Sequence, residues 1–152
     1  MNTKSQAREI AMRLEFALSY HTDSDITEQI NELLAPNVFS DFSQDDSLFA
    51  EFPDNNLLTY IRRILTLIEE NKNTIDETIN RYSSKWKISR ISKTALAIIR
   101  CAACEILYMP EIPDAVAVNE AVEMAKKYDT AETVSFVNGI LGGIIRGEKV
   151  SG

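Results

Sequence analysis

Apolar residues recur at intervals of three and four positions along most of this chain, and this spacing limits what the chain can fold into. Leu57, Ile61, Ile64, Leu65 and Ile68 are one example. Residues spaced in this way lie on one face of an α-helix. No segment alternates between apolar and polar residues with a period of two, so we expect no β-sheet. The pattern predicts an all-α protein, and 152 residues fit one compact domain.

Seven helices are predicted, and their ends are marked by prolines, serines and capping side chains. The stretch 37–53 has neither a helical nor an alternating period, but it contains several aromatic residues. We expect it to be an ordered loop, with room for one helical turn, held down by those aromatics. Residues 1–6 and 147–152 are expected to form a flexible arm and a flexible tail. The predicted helices span about 5–20, 25–34, 54–71, 74–82, 94–109 and 113–128, with a last one running through Phe136 to Ile145.

The helix predicted at 94–109 is apolar on all sides except at Arg100 and Glu105, which is typical of a buried central helix. These two charges are five residues apart, so they point about 140° away from each other and cannot pair. An unpaired buried charge is strongly destabilising. We therefore expect each of them to have a partner on another helix and to serve a structural role.

The last predicted helix contains three glycines within a run in which Phe136, Ile140 and Ile144 recur every four residues. Each glycine inside a helix costs about 1 kcal/mol relative to alanine. We expect the missing side chains to let another helix approach closely. The three glycines are Gly139, Gly142 and Gly143.

The last third of the chain carries several motifs in a fixed order. Ile99-Arg100 and Glu105-Ile106-Leu107 are followed by Val118-Asn119-Glu120-Ala121 and then by Phe136-Val137-Asn138-Gly139. With these motifs the chain closely resembles the NusB family of bacterial transcription antitermination factors. The resemblance implies a compact seven-helix fold of two small helical subdomains packed at right angles. It also implies structural roles for Arg100, Glu105, Asn119, Glu120, Asn138 and Gly139.

By this resemblance, the protein would bind the boxA sequence of nascent ribosomal RNA, as a single strand, together with the ribosomal protein NusE. The pair would then join the RNA polymerase elongation complex with the other Nus factors. Phosphates would contact cations near the start of the chain, and bases would contact aromatic rings. Phe136 fits equally well as a core anchor, and Glu132 as an acidic residue favoured in the first turn of a helix. The RNA-binding residues that the family pattern implies are Lys4, Arg8, Phe16, Glu132 and Phe136, and this chain adds Arg13 as a further cation.

Charge is unevenly distributed along the chain, whose net charge is −7. Residues 23–56 contain nine acidic side chains and no lysine or arginine, whereas residues 81–100 contain six basic side chains and no acidic one. Two cations of this basic run, Arg90 and Lys93, are expected to add to the RNA-binding surface. NusE would supply the positive charge that the chain lacks, so we expect weak RNA binding without it. The cations expected to share one side of the folded protein are Lys4, Arg8, Arg90 and Lys93.

The sequence contains no arrangement typical of an enzyme or a cofactor site. Cys101 and Cys104 are a lone pair at helical spacing and His21 is the single histidine, so a zinc site would lack ligands. Both thiols are expected to be small core residues. No glycine-rich phosphate loop is present. We expect no metal, no cofactor, no small-molecule substrate and no membrane span, and a cytoplasmic location.

Two other functions stay open at this point. The chain could be a helical protein–protein adaptor with little RNA affinity, since arginines are sparse near its start. It could also be a detached domain related to the N-terminal part of ribosomal RNA cytosine methyltransferases. Whether it forms a homodimer is open as well, because no residue decides it. The helix face that meets NusE is equally undecided, since every amphipathic helix also serves the core.

Overall fold

A computed structural model of the protein describes residues 3–20, 25–42, 47–83 and 91–149. Within these ranges the chain forms eight α-helices and no β-strand, which confirms the all-α prediction. None of these helices is both long enough and apolar enough to cross a membrane. A short 3₁₀ turn spans Ser47–Phe49, and a π-helical turn spans Ile145–Lys149. The helices are α1 (Lys4–Leu18), α2 (Ile26–Leu33), α3 (Pro36–Phe42), α4 (Asn55–Glu70), α5 (Lys72–Tyr82), α6 (Lys93–Tyr108), α7 (Asp114–Tyr128) and α8 (Ala131–Ile144).

Side-chain caps explain where several helices begin. At α1, the Thr3 hydroxyl accepts from the Gln6 amide while the Gln6 side chain accepts from the Thr3 amide, which forms a capping box. Each of four further helices begins after a residue whose side-chain oxygen accepts a backbone N–H of the first turn. These capping residues are Asp25 at α2, Asp54 at α4, Ser92 at α6 and Thr130 at α8.

Helix α6 lies at the centre of the fold, as its apolar sequence predicts. It packs against α1, α4, α5, α7 and α8, while α2 packs on α4, and α3 packs on α2 and the 3₁₀ turn. Cys101 and Cys104 are buried free thiols, so the prediction that they are core residues is confirmed. Burial raises the pKa of the Cys104 thiol to about 12, which keeps this thiol protonated and unreactive.

The prediction of seven helices was one too few, because α3 begins at Pro36 and continues into the stretch 37–53, where at most one helical turn was expected. Pro36 is the first residue of α3, a position that suits its fixed φ and its missing N–H. The helix is only seven residues long, too short to show a clear apolar period. The expected aromatic packing is present, since the ring centroid of Phe39 lies 5.0 Å from that of Phe49 and 5.2 Å from that of Phe52.

The three glycines of α8 have different surroundings. A Cβ on Gly143 would lie 3.1 Å from Cδ1 of Tyr82 in α5, so this glycine does let a second helix approach closely. A Cβ on Gly139 would meet nothing within 4 Å, and one on Gly142 would meet the side chain of Arg146 just downstream. The close-approach prediction therefore holds for one glycine and is wrong for the other two.

Both ends of the described chain are held by side-chain contacts. The Ser5 hydroxyl donates to Glu120 of α7 at 2.8 Å. At the other end, Glu148 accepts a hydrogen bond from Arg81 of α5 at 2.6 Å. Residues 4–6 belong to α1 and residues 147–149 to the π-helical turn, while the flexibility of the arm and the tail stays a prediction.

Candidate nucleic-acid interface

Arg8 belongs to the buried core of the protein. Its side chain is 6% exposed, and its Nε donates to Oε2 of Glu105 at 2.9 Å. The hydroxyl of Tyr60 donates to the same carboxylate oxygen at 2.9 Å. Burial raises the pKa of Glu105, and the Arg8 guanidinium opposes that rise. Arg8 thus has a structural role as the buried partner of Glu105, and its predicted phosphate contact stays a prediction.

Arg100 has a partner of its own on α5. Its Nε donates to Oδ1 of Asp76 and its Nη2 donates to Oδ2, each at 2.8 Å. A two-point contact of this kind is the strong geometry for an arginine–carboxylate pair. Arg100 and Glu105 thus have separate partners, as their separation of about 140° requires, and each holds α6 to a neighbouring helix.

Glu15 of α1 is a second buried carboxylate, and it lies near Lys72 of α5. It is 0% exposed, and among the described residues neither of its carboxylate oxygens has a hydrogen-bond partner. Lys72 Nζ lies 3.9 Å from Oε1 of Glu15, and Lys72 also pairs with Glu69. Burial raises the pKa of Glu15 to about 7, although the charge of Lys72 acts to lower it. Ionised Glu15 is therefore a destabilising group in the folded protein.

The remaining predicted cations of α1 lie on two different sides of the helix. Lys4 and Arg13 are nine residues apart, which corresponds to about 180° around a helix. The ammonium of Lys4 lies 4.7 Å from the ring centroid of Tyr60 in α4. The guanidinium carbon of Arg13 lies 5.8 Å from the ring centroid of Tyr128 and 5.5 Å from that of Phe49. Lys4 is therefore separated from the surface that holds Arg13.

Tyr128, the last residue of α7, lies between two cations. Lys127 Nζ is 5.5 Å from the Tyr128 ring centroid, and Arg13 approaches the same ring from α1. The Tyr128 hydroxyl donates to Glu9, which also forms an ion pair with Lys127. Burial raises the pKa of Tyr128, and the hydrogen bond to Glu9 adds to that rise, so the ring stays neutral. The junction of α1 and α7 thus presents an aromatic ring beside positive charge.

A second contact between a cation and an aromatic ring lies at the end of α1. Phe16 meets the ring of Tyr20 edge to face, with ring centroids 5.4 Å apart and ring planes at 72°. Lys93, the first residue of α6, places its Nζ 4.9 Å from the Tyr20 ring centroid. Phe16 packs partly against the core, whereas Tyr20 is largely exposed.

Asp129 ties together the N-termini of α6 and α8 beside these rings. Its carboxylate accepts hydrogen bonds from the Ser92 hydroxyl at 2.9 Å, the Thr130 amide at 2.8 Å and the Thr133 hydroxyl at 2.9 Å. Burial acts to raise the pKa of Asp129, but these three hydrogen bonds outweigh it and lower the pKa. Two helix N-termini, whose dipoles favour anions, therefore open at the same place.

These contacts define one region, which we call the cation–aromatic surface, at the end of α1 where α6, α7 and α8 meet. Cations neutralise the phosphates of a nucleic acid, and exposed rings stack on its unpaired bases. The alternation of the two is the chemistry that a single RNA strand requires. The members of the cation–aromatic surface are Arg13, Phe16, Tyr20, Lys93, Lys127 and Tyr128.

The structure brings together only part of the predicted RNA-binding set. Glu132 is exposed in the first turn of α8, and Phe136 lies one turn later, half-buried against the core. Of the described cations predicted to share one side, Arg8 is buried in the core and Lys4 lies beside α4, away from Lys93. Arg90 lies outside the described residues. The predicted residues that do meet on the cation–aromatic surface are Arg13, Phe16 and Lys93.

Sequence reasoning missed three members of the cation–aromatic surface, namely Tyr20, Lys127 and Tyr128. Tyr20 follows Phe16 by four residues, so helical spacing already indicated that the two rings would lie on the same side. Lys127 and Tyr128 end the helix predicted at 113–128. No sequence pattern shows that this end of the helix meets α1, because the contact depends on tertiary packing.

The other residues that the family pattern marks as structural divide into two kinds. Glu120 accepts the hydrogen bond from Ser5 and so joins α7 to α1. Asn119, Asn138 and Gly139 are solvent-exposed on α7 and α8, so they take no part in packing the core of this chain.

Comparison with known proteins identifies the family. A family model described as "NusB family" matches residues 5–146. The chain belongs to the NusB family. The transcription antitermination protein NusB of Clostridium botulinum (strain Alaska E43 / Type E3) is 42% identical over 146 residues, covering 96% of this chain and 99% of that protein. The protein of the same name from Clostridium novyi (strain NT) is 38% identical over 143 residues, covering 94% of this chain and 98% of that protein.

Solved NusB structures have the same fold as this chain. The structure of T. maritima NusB superposes with a TM-score of 0.77 at 29% identity, covering 96% of this chain and 92% of that one. The solution structure of NusB from Aquifex aeolicus gives a TM-score of 0.69 at 16% identity, covering 96% and 89%, and shows the fold alone. NusB-family proteins are transcription antitermination factors and not enzymes, in agreement with the sequence.

Proposed function

We propose that this NusB-family protein is an antitermination factor that binds boxA RNA in nascent ribosomal RNA transcripts together with the ribosomal protein NusE. The pair joins the RNA polymerase elongation complex with the other Nus factors. The observation that carries the proposal is the cation–aromatic surface, and its mechanism is binding without catalysis. The relatives named transcription antitermination protein NusB support the same role.

Each type of side chain on the cation–aromatic surface matches one part of an unpaired RNA strand. Arg13, Lys93 and Lys127 offer positive charge to successive phosphates, and the counterions released from the RNA favour binding. Phe16 and Tyr128 offer rings to bases that are not paired or stacked within the RNA. A duplex could not use these rings, because its bases are stacked on each other, so the surface favours a single strand.

Helix α8 extends this interface beyond the cation–aromatic surface. Glu132 offers a carboxylate that can accept hydrogen bonds from base amino groups, and the half-buried ring of Phe136 lies one turn further. Arg90 and Lys4 are proposed as additional phosphate contacts. The contact at Lys4 requires a strand that follows α1 over its length of about 21 Å and reaches the side facing α4.

The charge of the chain explains why a second protein takes part. A net charge of −7 repels a polyanion, and of the three cations on the surface Lys127 already pairs with Glu9. Binding by this chain alone is therefore weak. A basic partner beside the cation–aromatic surface adds phosphate contacts and raises the affinity without any change in the fold.

The test is a titration of labelled boxA RNA with this protein, with and without NusE, across a series of salt concentrations. For single strands, log K falls with log salt by about 0.7 for each phosphate that is neutralised. We expect tight binding only with NusE, and we expect Lys93→Gln to lower the slope by about 0.7. Arg63→Gln is the matched control, because Arg63 is an exposed cation that pairs with Glu111 outside the surface. Tight binding without NusE, or equal slopes for both variants, would contradict the proposal.

Companion assays with the same protein would detect the alternatives. NusE binding with no RNA binding at any salt concentration indicates a protein–protein adaptor. Methyl transfer from S-adenosylmethionine to ribosomal RNA indicates a domain related to the cytosine methyltransferases. Sedimentation measured alongside the titration reports whether a homodimer forms and whether RNA dissociates it.

A further inference from the structure

Tyr20 is 60% exposed, more than any other large hydrophobic side chain within the described ranges. Aromatic rings contribute to a fold mainly through the area that they bury. Core packing therefore does not account for Tyr20. It lies two residues beyond Leu18, the last residue of α1, on the cation–aromatic surface.

The Tyr20 ring is held in position although it is exposed. Its neighbour Phe16, 5.4 Å away between centroids, is itself packed against the core. The Ser19 hydroxyl donates to the Phe16 carbonyl at 2.6 Å, and the Ser19 amide also bonds back into the last turn of α1. The backbone that carries Tyr20 is thus fixed by the helix end. A ring that is fixed before binding loses little conformational entropy when a ligand stacks on it.

Lys93 lies over the Tyr20 ring, and a ligand can displace it from there. Its Nζ lies 4.9 Å from the ring centroid, within the range of a cation–π contact. Such a contact at an exposed site is weak, about 0.5–1 kcal/mol, so it is easily exchanged. The lysine ammonium sits on a flexible stem, so it can leave the ring for an anion within reach.

We propose that Tyr20 is the stacking platform for one unpaired base of the RNA, and that Lys93 moves from the ring to the phosphate beside that base. This inference rests on the proposed RNA-binding function and assigns one base position within it. The base replaces the ammonium on the ring, and the phosphate replaces the ring as the partner of the ammonium. The Tyr20 ring and the Lys93 ammonium each have a partner before and after binding. The exchange therefore leaves neither group without a contact. Every base has a π-face, so this contact selects an unpaired base rather than a particular sequence.

The charge near Tyr20 favours a nucleic acid over a protein as the ligand. Lys93 is the first residue of α6, so its charge adds to the positive end of that helix dipole. Arg13 lies one turn before Phe16 on α1, on the same cation–aromatic surface. A planar, anionic strand matches both the ring and this potential, whereas an apolar protein surface would match only the ring.

The first test compares three variants of this protein in the complex with NusE, by titration of labelled boxA RNA. Tyr20→Leu removes the ring and no charge, so we expect binding weaker by about 5- to 100-fold with an unchanged salt slope. Tyr20→Phe keeps the ring, so we expect an affinity within about twofold of the original, since stacking needs only the π-face. Phe52→Leu is the matched control, because Phe52 is also an exposed ring but packs on Phe39 outside the surface. Thermal unfolding first establishes that each variant is folded.

The second test identifies the partner of the ring by removing single bases from the RNA. A set of boxA strands is prepared, each with one abasic position, and each is titrated with the original protein and with Tyr20→Leu. We expect one abasic position that weakens binding of the original protein but has little effect on Tyr20→Leu. If Tyr20→Leu weakens binding of every strand by the same factor, the ring does not contact a base and the inference is overturned.

These outcomes separate the inference from the function on which it rests. If the original protein binds boxA RNA with NusE but Tyr20→Leu binds equally well, the stacking role of Tyr20 is refuted and the proposed function stands. If the original protein binds no RNA with or without NusE, the proposed function is refuted and the inference falls with it.

Discussion

Replacing Glu15 by leucine is expected to stabilise the protein at neutral pH, although the replacement removes a charge that lies near Lys72. The carboxylate is fully buried and its oxygens accept no hydrogen bond from the described residues. Leucine has a similar size and belongs in such surroundings. Lys72 is 27% exposed and keeps its ion pair with Glu69 at 3.3 Å, so the substitution leaves no buried cation without a partner.

The magnitude follows from the raised pKa of Glu15. A rise from 4.5 to about 7 corresponds to a loss of about 3 kcal/mol of stability once the group is ionised. Below pH 4.5 the carboxyl is protonated in the folded and unfolded states, so nothing is lost. Between pH 4.5 and about 7 only the unfolded state releases the proton, and stability falls as pH rises. Above that range the loss is constant.

The assay is urea unfolding of the original protein and Glu15→Leu at several pH values from 4.5 to 8. The difference in unfolding free energy should grow by about 3 kcal/mol across this range, a midpoint shift of about 1–3 M urea. Glu15→Gln is the matched control, because it removes the ionisation but keeps a polar group in the same place. Lys72→Met should raise the pKa of Glu15 further, since the charge of Lys72 lowers it. A difference that does not change with pH, or a Glu15→Leu protein that is less stable at pH 8, would refute the reasoning.

Four further substitutions test the packing of the fold, each by urea unfolding. Gly143→Ala should destabilise by about 1–3 kcal/mol because its Cβ meets a tyrosine ring, while Gly139→Ala, in open space, should stabilise by up to about 1 kcal/mol. Arg8→Met leaves Glu105 without its ion-pair partner and should cost about 3–5 kcal/mol. Ser92→Ala removes the cap of α6 and should cost about 1 kcal/mol, and an unchanged stability would show that the cap is dispensable.

The central helix could be predicted from the sequence because one property identifies it. A segment that is apolar on every side has to be buried whichever helices surround it, and α6 is buried along most of its length. The same reasoning required partners for Arg100 and Glu105 but could not name them. Asp76 and Arg8 lie 24 and 97 residues away in sequence, and only the packing of the helices brings them to α6.

The burial of Arg8 and Glu15 was readable from the sequence but was not recognised. Arg8 precedes Ala11 by three residues and Glu15 follows it by four, so both lie on the apolar face of α1. The family pattern directed attention to Arg8 as a cation for RNA. Periodicity indicates instead that a charge on this face either has an ion-pair partner or has a shifted pKa. Arg8 is paired with Glu105, and Glu15 has a raised pKa.

The candidate site could be predicted less well than the fold because it is built from tertiary contacts. Arg13, Phe16 and Lys93 were expected on chemical grounds, but the ring that links Phe16 to Lys93 was not. Tyr20 and Lys93 are distant in sequence and sit on no common helix. Short α3 was missed for a different reason, because seven residues give too few turns for a period to be recognised.

The central claim is that the cation–aromatic surface contacts single-stranded RNA, and backbone amide shifts measured by NMR test it most directly. The protein has a mass of 17.1 kDa, which suits a two-dimensional titration with a boxA oligonucleotide. We expect the shift changes to concentrate at residues 13–20, 91–93 and 127–136 and to leave α2 and α3 unaffected. Shift changes concentrated on α2 and α3, with none at these three segments, would contradict it.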